Sequence, residues 1–256
     1  MKDPVIIIGL GEMGGVFARG FLRSGYPVYP VTRKTDCEAL AAELSTPELV
    51  LIAVGEKDLH ASMEALPEVW RERVALLQNE LLPGDWEQYG YSNPTVISVW
   101  FEKKKGQDAK VLIPSPAFGP KAALLSEALS SIDIPVTVLD NTEQLLFELV
   151  RKNVFILTTN IAGLKTGGTV GELWAQHQEF ARNVANEIIT VQEKLTGRSL
   201  EREALIEGMV TAFNGDLEHK CMGRSAPARL KRALELAERF GTEVPVLSGI
   251  SGQPDY

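Results

Sequence analysis

A glycine-rich turn near the amino terminus has the residue types and spacing that bind a dinucleotide. The turn consists of Gly9, Leu10, Gly11, Glu12, Met13 and Gly14. It directly follows an apolar run at residues 5–8 and begins a helical pattern, which is the context that the dinucleotide fingerprint requires. The first glycine permits a tight turn, the second allows backbone to approach a pyrophosphate, and the third allows helix and strand to pack closely. The pyrophosphate would lie at the helix amino terminus, which favours anions.

The end of the second predicted strand indicates which dinucleotide binds. NAD sites usually carry a carboxylate about 20 residues beyond the glycines, whereas Thr32, Arg33 and Lys34 follow the strand here. A guanidinium and an ammonium suit a 2′-phosphate, and the Thr32 hydroxyl is a further donor. We therefore predict NADP as the cofactor. Asp36, two residues past Lys34, keeps NAD open as an alternative.

Two positions offer chemistry for reducing a carbonyl group, which needs a hydride donor, a proton donor and groups that position the substrate. Lys152 lies in an otherwise apolar helical segment, and burial there would lower the pKa of its ammonium towards neutrality. Gln78 and Asn79 follow a buried strand, at the sheet edge where ligands of such folds bind. Lys152 is thus a candidate proton donor, and the Gln78-Asn79 pair a candidate ligand contact.

The first half of the chain carries the elements that would position these residues. Short apolar runs alternate with helical patterns at residues 5–8, 13–24, 27–31, 37–44 and 49–54, and further strands are predicted at 74–77, 95–100, 110–113 and 136–139. This alternation is typical of βαβ units on a parallel sheet. We predict an α/β fold with an amino-terminal Rossmann-type parallel sheet.

The second half shows apolar residues at helical spacing and no strand runs. Helices are predicted at residues 171–195, 201–213 and 226–240, the last one closed by Gly241. We therefore predict an NADP-binding Rossmann domain at residues 1–140 and an all-helical substrate and catalytic domain at residues 141–256.

Composition excludes several other classes of function. A formal net charge of −8 disfavours binding to nucleic acid. Cys37 and Cys221 are the only cysteines, too few for a disulfide framework or a four-thiolate zinc site, and the three histidines show no metal-ligand spacing. No apolar stretch approaches the ~18 residues of a membrane span. We expect a cytoplasmic protein without a metal, acting on a small-molecule carbonyl acid, with a homodimer left open.

The chain resembles the ketopantoate reductase (2-dehydropantoate 2-reductase) family, within the larger group that includes 6-phosphogluconate and β-hydroxyacid dehydrogenases. The resemblance rests on the glycine turn, Arg33, Val54-Gly55-Glu56-Lys57, Gln78-Asn79, Lys152 with Asn160 eight residues later, and Thr169-Val170-Gly171-Glu172-Leu173. It implies that Lys152 donates the proton and that Asn79 contacts substrate and nicotinamide. It also implies that Lys57 is a secondary cofactor contact and that Asn160 contacts the substrate carboxylate.

The chain departs from the family pattern in its substrate residues. Glu80 stands where the family has a glycine after Asn79, and the late Thr-Glu-Ile-Asp segment, whose glutamate binds the substrate hydroxyl, is absent. Ser225 or Arg224 is a possible replacement, and a helix-start turn before Pro227 is the alternative explanation for both.

Three functions stay open at this point. The first is reduction of a 2-keto acid related to ketopantoate. The second is an activity of the β-hydroxyacid dehydrogenase or imine reductase type, because the glycine turn resembles those families as well. The third is an NADP-binding sensor without turnover, which the missing substrate residues would fit.

Overall fold

The structure is a computed structural model and describes residues 2–251. The chain divides into two compact units, Met1–Glu148 and Leu149–Tyr256. The long helix α6 (Thr142–Thr166) begins in the first unit and continues into the second. The roles assigned from sequence to residues 1–140 and 141–256 stay predictions.

The first unit is a seven-stranded sheet with helices, accompanied by a small two-stranded sheet. The strands are β1 (Val5–Ile8), β2 (Val28–Val31), β3 (Leu49–Ile52), β4 (Val74–Leu76), β5 (Thr95–Ile97), β6 (Phe101–Glu102), β7 (Lys110–Val111), β8 (Ser115–Phe118) and β9 (Val136–Val138). The helices are α1 (Glu12–Arg23), α2 (Cys37–Glu43), α3 (Leu59–Glu64), α4 (Pro83–Glu87) and α5 (Ala122–Ser130), with 3₁₀ turns at Glu56–Asp58 and Glu68–Arg73.

The order of the main sheet is β2-β1-β3-β4-β5-β8-β9. Strands β2, β1, β3, β4 and β5 are parallel, and Val5 of β1 lies opposite Val28 on one side and Leu49 on the other. The chain thus leaves β1 first to one side and later to the other, which creates a crevice at the carboxyl ends of the strands. The predicted Rossmann-type sheet is confirmed.

Two details of the sheet differ from the sequence prediction. Strand β8 was not predicted, because a proline interrupts its short apolar sequence, and it pairs antiparallel with β5. Its Pro116 carbonyl accepts a hydrogen bond from the Ser98 N–H at 2.9 Å. The strand predicted at residues 110–113 is shorter and pairs with β6 outside the main sheet. Short apolar runs predict a strand but not its partner.

The inner parallel strands β1, β3, β4 and β5 are buried on both faces, as their continuous apolar sequences require, whereas the edge strand β2 exposes Tyr29. Every residue of β3 is fully buried, and helix α1 buries Phe17 and Phe21 completely. Burying one such aromatic side chain contributes about 1.5–3 kcal/mol. Helix α1 packs against α5 at Gly20, where the two backbones approach closely.

The second unit is helical over its described residues. Besides the continuation of α6, its helices are α7 (Val170–Gln176), α8 (Gln178–Thr196), α9 (Arg202–Gly215), α10 (Ala226–Arg239) and α11 (Pro245–Ser251). Apolar residues of α6 and α8 fill its core, including Val150, Val154 and Ile188. One buried polar pair crosses this core, where Asn153 Nδ2 donates to Gln192 Oε1 at 2.9 Å.

The prediction of one helix at residues 171–195 is wrong, because the chain breaks at His177. The backbone of His177 leaves the helical region, with φ −133° and ψ 31°. Its N–H still donates to Leu173 O, and its carbonyl accepts from the Ala181 N–H. The hydrogen bonds on both sides survive the break and the apolar spacing continues across it, so periodicity could not show two helices.

The glycines of α1 provide a matched test of the packing in the first unit. A Cβ at Gly20 would lie 2.5 Å from the backbone oxygen of Ala128, whereas a Cβ at exposed Gly15 has no atom within 4 Å. We expect Gly20→Ala to destabilise the protein by about 1–3 kcal/mol through overpacking. Gly15→Ala should stabilise it by about 0.5–1 kcal/mol because a helical glycine is entropically costly. Urea unfolding measures both, and equal effects of the two changes would contradict the close approach.

Candidate functional site

A cavity of about 490 Å³ lies at the carboxyl ends of β1, β2 and β3. We refer to it as the strand-end cavity. Its lining includes Gly9, Gly11, Val31, Arg33 and Asp58. This is the crevice that the strand order creates, and it is the ligand position typical of doubly wound sheets.

The three fingerprint glycines have different local environments. Gly9 has φ +94°, and a Cβ there would lie 2.8 Å from the Ala53 oxygen. A Cβ at Gly14 would collide with the carbonyl oxygen of Gly9. A Cβ at Gly11 would meet no protein atom within 4 Å, although Gly11 borders the cavity. Packing therefore accounts for Gly9 and Gly14, whereas the space beside Gly11 is open to a ligand.

The open space beside Gly11 is next to the amino terminus of α1. Gly11 is the N-cap residue, and no side chain caps this end of the helix. The first amide groups of a helix have no partner within it and favour an anion. The observed geometry therefore fits a pyrophosphate, with the backbone of the glycine turn as its cradle.

Leu10 and Glu12 border a second cavity of about 530 Å³, which shares Gly11 with the strand-end cavity. Glu12 Oε2 lies 3.1 Å from Lys103 Nζ there. Met13 packs against the core of the first unit and lines neither cavity. The predicted fingerprint residues thus share one turn but have different neighbours.

Arg33 lies at the rim of the strand-end cavity, immediately after β2. Its side chain is 90% exposed, and Nη2 lies 3.7 Å from Oδ2 of Asp58, which is 44% exposed. Thr32 also lines the cavity, but its hydroxyl accepts from the Lys34 N–H at 3.3 Å and so contributes to the turn. Lys34 is exposed and does not contribute to this lining.

Gln78 connects the ends of two strands rather than facing open space. Its side chain is 7% exposed, and Nε2 donates to the Ile52 oxygen at 2.7 Å and to the Val54 oxygen at 3.3 Å. Its Oε1 accepts from the Leu77 N–H at 3.1 Å. These bonds fix the carboxyl end of β4 beside that of β3.

Asn79 is exposed in the turn that follows, and Glu80 completes this turn in a left-handed conformation with φ +59°. That conformation favours glycine. It is found at the one position of this turn where the resemblance leads us to expect glycine. The backbone therefore has a glycine-type turn although the side chain differs.

Lys152 is partly buried on α6 within the second unit. Its Nζ lies 5.5 Å from the ring centroid of Phe155, a distance at which a cation and an aromatic face attract one another. Phe155 in turn lies 5.8 Å, centroid to centroid, from His219. The ammonium group thus lies beside an aromatic cluster.

Asn160 lies two helical turns beyond Lys152, about 12 Å further along the helix axis. It is 9% exposed, and its Oδ1 accepts from Arg229 Nη1 at 3.0 Å. A guanidinium can only donate, so this bond fixes the orientation of the Asn160 amide. Its Nδ2 then faces the other way as a donor, with a long 3.5 Å contact to Thr159 Oγ1.

The remaining predicted substrate residue, Ser225, is exposed at the N-cap of α10 and makes no side-chain cap. Its backbone oxygen accepts from the Arg229 N–H at 2.9 Å. The segment at residues 169–173 forms a capping box, in which Thr169 and Glu172 exchange hydrogen bonds at the start of α7. That segment therefore has a local structural role here.

Sequence reasoning missed three residues at these sites, namely Asp58, Cys37 and Arg229. Within the 3₁₀ turn at Glu56–Asp58, Asp58 lines the strand-end cavity, whereas the predicted Lys57 is exposed and outside the lining. Cys37 also lines the cavity, and burial, followed by the charges of Asp36 and Glu38, raises the pKa of its thiol. Arg229 lies one helical turn after Ser225, and no sequence signal marked it, because its burial and its bond to Asn160 arise only in the folded chain.

No helix within residues 2–251 is both long and apolar enough to span a membrane. No group of three His, Cys, Asp or Glu side chains there is arranged to hold a metal ion.

Comparison with solved structures finds the same fold along almost the entire chain. The 2-dehydropantoate 2-reductase from Methylococcus capsulatus is 15% identical with a TM-score of 0.70, and the match covers 96% of this chain and 94% of that chain. A dimeric ketopantoate reductase from Staphylococcus aureus is 16% identical with a TM-score of 0.64, covering 96% and 97%. A D-mandelate dehydrogenase in complex with NADH is 14% identical with a TM-score of 0.67, covering 98% and 96%.

At these identities the likeness concerns the fold, and the resemblance predicted from the sequence motifs is confirmed at that level. No protein-family model and no curated protein sequence matches the chain.

Proposed function

We propose that this protein is an NADPH-dependent oxidoreductase that reduces a small 2-keto acid related to ketopantoate. The observation that carries the proposal is the open space at Gly11, beside the uncapped start of α1 and on the rim of the strand-end cavity. Packing does not require a glycine at this position, whereas a pyrophosphate does. The fold shared with ketopantoate reductases and a mandelate dehydrogenase supports the same reaction class.

The residues of the strand-end cavity suit the adenosine half of a dinucleotide. Gly9 and Gly11 would accommodate the pyrophosphate, and Arg33 would pair with the 2′-phosphate at the rim. When bound, a reduced nicotinamide supplies hydride to a carbonyl carbon. The protein must then provide a proton for the carbonyl oxygen and a fixed position for the acid.

Three side chains are assigned to these tasks. We assign the proton to Lys152 Nζ, because an ammonium group can donate a proton to the oxygen of a carbonyl that accepts hydride. Asn79, exposed at the end of β4, would orient the carbonyl group. Asn160 would donate from Nδ2 to the substrate carboxylate, since Arg229 holds its Oδ1. This assignment requires no acidic residue near Ser225.

Reduction of an aryl 2-keto acid to the 2-hydroxy acid, or the reverse oxidation, is the second candidate. It is favoured by the fold shared with the D-mandelate dehydrogenase, whose structure contains NADH. Lys152 would donate the proton during reduction and accept it during oxidation, and this candidate would differ from the first in the substrate and cofactor bound.

A substrate panel separates these functions from one another and from a sensor without turnover. NADPH and NADH oxidation would be followed at 340 nm with aliphatic 2-keto acids, aryl 2-keto acids, cyclic imines and aldehydes. We expect the fastest turnover with a branched aliphatic 2-keto acid and NADPH. Preference for an aryl keto acid would support the second candidate. Tight NADPH binding without turnover on the whole panel would contradict an enzymatic function.

The cradle at Gly11 is tested by Gly11→Val. The Cβ of the new side chain has no protein atom within 4 Å, so the melting temperature should stay within a few degrees of the wild type. It would fill the space for the pyrophosphate, so NADPH binding should fall at least 100-fold by calorimetry. Gly15→Ala, one helical turn after Gly11 and outside the lining of the strand-end cavity, is the control and should bind normally. Tight NADPH binding by a well-folded Gly11→Val protein would contradict the proposed cofactor site.

Cofactor preference is tested by Arg33→Ala. We expect the wild-type protein to bind NADPH at least tenfold more tightly than NADH, which corresponds to about 1.4 kcal/mol. Removing the guanidinium should abolish most of this preference, because it weakens the binding of NADPH and leaves the binding of NADH unchanged. Lys34→Ala is the matched control, since Lys34 lies outside the cavity lining. Equal dissociation constants of the wild-type protein for both cofactors would contradict the NADP assignment.

Proton donation is tested by Lys152→Met, which keeps the aliphatic bulk and removes the charge. Turnover should fall by the ~10²–10⁴ typical of a lost general acid, with NADPH affinity unchanged. Lys165→Met on the same helix is the matched control, because Lys165 Nζ also lies over a ring, 5.0 Å from the centroid of Phe180. Turnover of Lys152→Met within threefold of the wild type would exclude this lysine as the acid.

A further inference from the structure

We propose that Asp58 sets how strongly the strand-end cavity prefers NADPH over NADH, by competing with the 2′-phosphate for the guanidinium of Arg33. The inference rests on the proposed function, because it concerns the same cofactor site. It assigns a selectivity role to an acidic residue at the end of β3, whereas dinucleotide selectivity is usually set at the end of the strand that follows the glycine turn.

The geometry brings Asp58 and Arg33 together across the cavity rim. Arg33 follows β2, Asp58 lies in the turn after β3, and both line the cavity. Their closest charged atoms, Arg33 Nη2 and Asp58 Oδ2, are 3.7 Å apart. A phosphate that binds Arg33 at this rim must therefore take the guanidinium from a carboxylate that already faces it.

The helix that begins at Asp58 does not use its carboxylate. Asp58 is the N-cap residue of α3, yet its side chain makes no capping hydrogen bond. Its backbone supports the turn instead, since its N–H donates to the Gly55 oxygen at 2.9 Å and its oxygen accepts from Ser62 Oγ at 2.8 Å. The carboxylate is consequently available for the cavity, and neutralising it leaves the backbone bonds in place.

The charges determine the direction of the effect on each cofactor. A phosphate carries nearly two negative charges and three acceptor oxygens, so it binds the guanidinium more strongly than one carboxylate does. NADPH therefore still binds. Breaking the pair between Arg33 and Asp58, however, cancels part of the binding free energy that the 2′-phosphate gains from Arg33. NADH carries a ribose hydroxyl at the same place, and a hydroxyl can donate to a carboxylate without displacing Arg33. Asp58 thus weakens NADPH binding while it tolerates NADH.

The size of the effect follows from exposure. A pair with a 90% exposed arginine is screened by water, and exposed pairs couple by about 0.2–1 kcal/mol. The competition should therefore change the dissociation constant of NADPH by about 1.4-fold to fivefold. This modulates a preference that Arg33 creates and does not reverse it.

The test is Asp58→Asn, with dissociation constants for NADPH and NADH measured by calorimetry on the full-length protein. We expect NADPH binding to tighten by about 1.4-fold to fivefold and NADH binding to stay unchanged, so that the NADPH preference rises. Asparagine suits an N-cap position, so folding should be preserved. Asp58→Ser, which also suits that position, is expected to give the same rise.

Two controls separate competition for Arg33 from a general charge effect. Glu64→Gln removes the same charge from the other end of α3, outside the cavity lining, and should leave the NADPH preference unchanged. In an Arg33→Ala background, Asp58→Asn should no longer raise the preference, because there is no guanidinium to release. A rise that persists in that background, or an equal rise in Glu64→Gln, would overturn the inference.

The same measurements distinguish this inference from the function on which it rests. A wild-type protein that binds neither dinucleotide would overturn both the proposed function and the inference. Normal binding of NADPH with an unchanged preference in Asp58→Asn and Asp58→Ser would overturn the inference alone.

Discussion

The close approach of the glycine turn to the neighbouring strands is the constraint on which the candidate cofactor site depends. Gly9 lies between two strand ends, because its N–H donates to the Val31 oxygen while the Ala53 N–H donates to the Ile8 oxygen. With φ +94° and the Ala53 oxygen nearby, no larger residue fits there. The turn therefore has one position relative to β2 and β3. That position directs the start of α1 towards the strand-end cavity and leaves Gly11 as the place where a ligand can contact backbone.

The same logic explains which parts of the fold could be predicted from sequence. The glycine turn, the buried strands and the change to an all-helical pattern are local in sequence, so residue spacing predicts them well. Strand β8 contains Pro116 and depends on pairing with β5 and β9, which no local pattern encodes. The break at His177 occurs without a glycine or proline, and the helical hydrogen bonds continue on both sides of it.

The candidate site was predicted less completely, because its residues meet through turns rather than through spacing. Arg33 could be predicted from its position at the end of β2, whereas Asp58 reaches the same cavity from the end of β3. Lys57 and Asp58 are neighbours in one 3₁₀ turn, yet only Asp58 lines the cavity. Similarly, the contact between Asn160 and Arg229 joins residues 69 positions apart. Such pairings depend on tertiary structure, which a motif does not contain.

Glu80 shows why a departure from a motif need not mean a different geometry. A non-glycine residue in the left-handed region costs about 1–2 kcal/mol, so the conformation persists only if neighbouring residues impose it. Gln78 on one side is bonded to two strand-end carbonyls, and Leu81 on the other side is 2% exposed. With both flanks fixed, the two residues between them must turn sharply whether or not glycine is present. Asn79 is thereby held at the tip of β4, and its position depends on the anchors rather than on the residue that follows it.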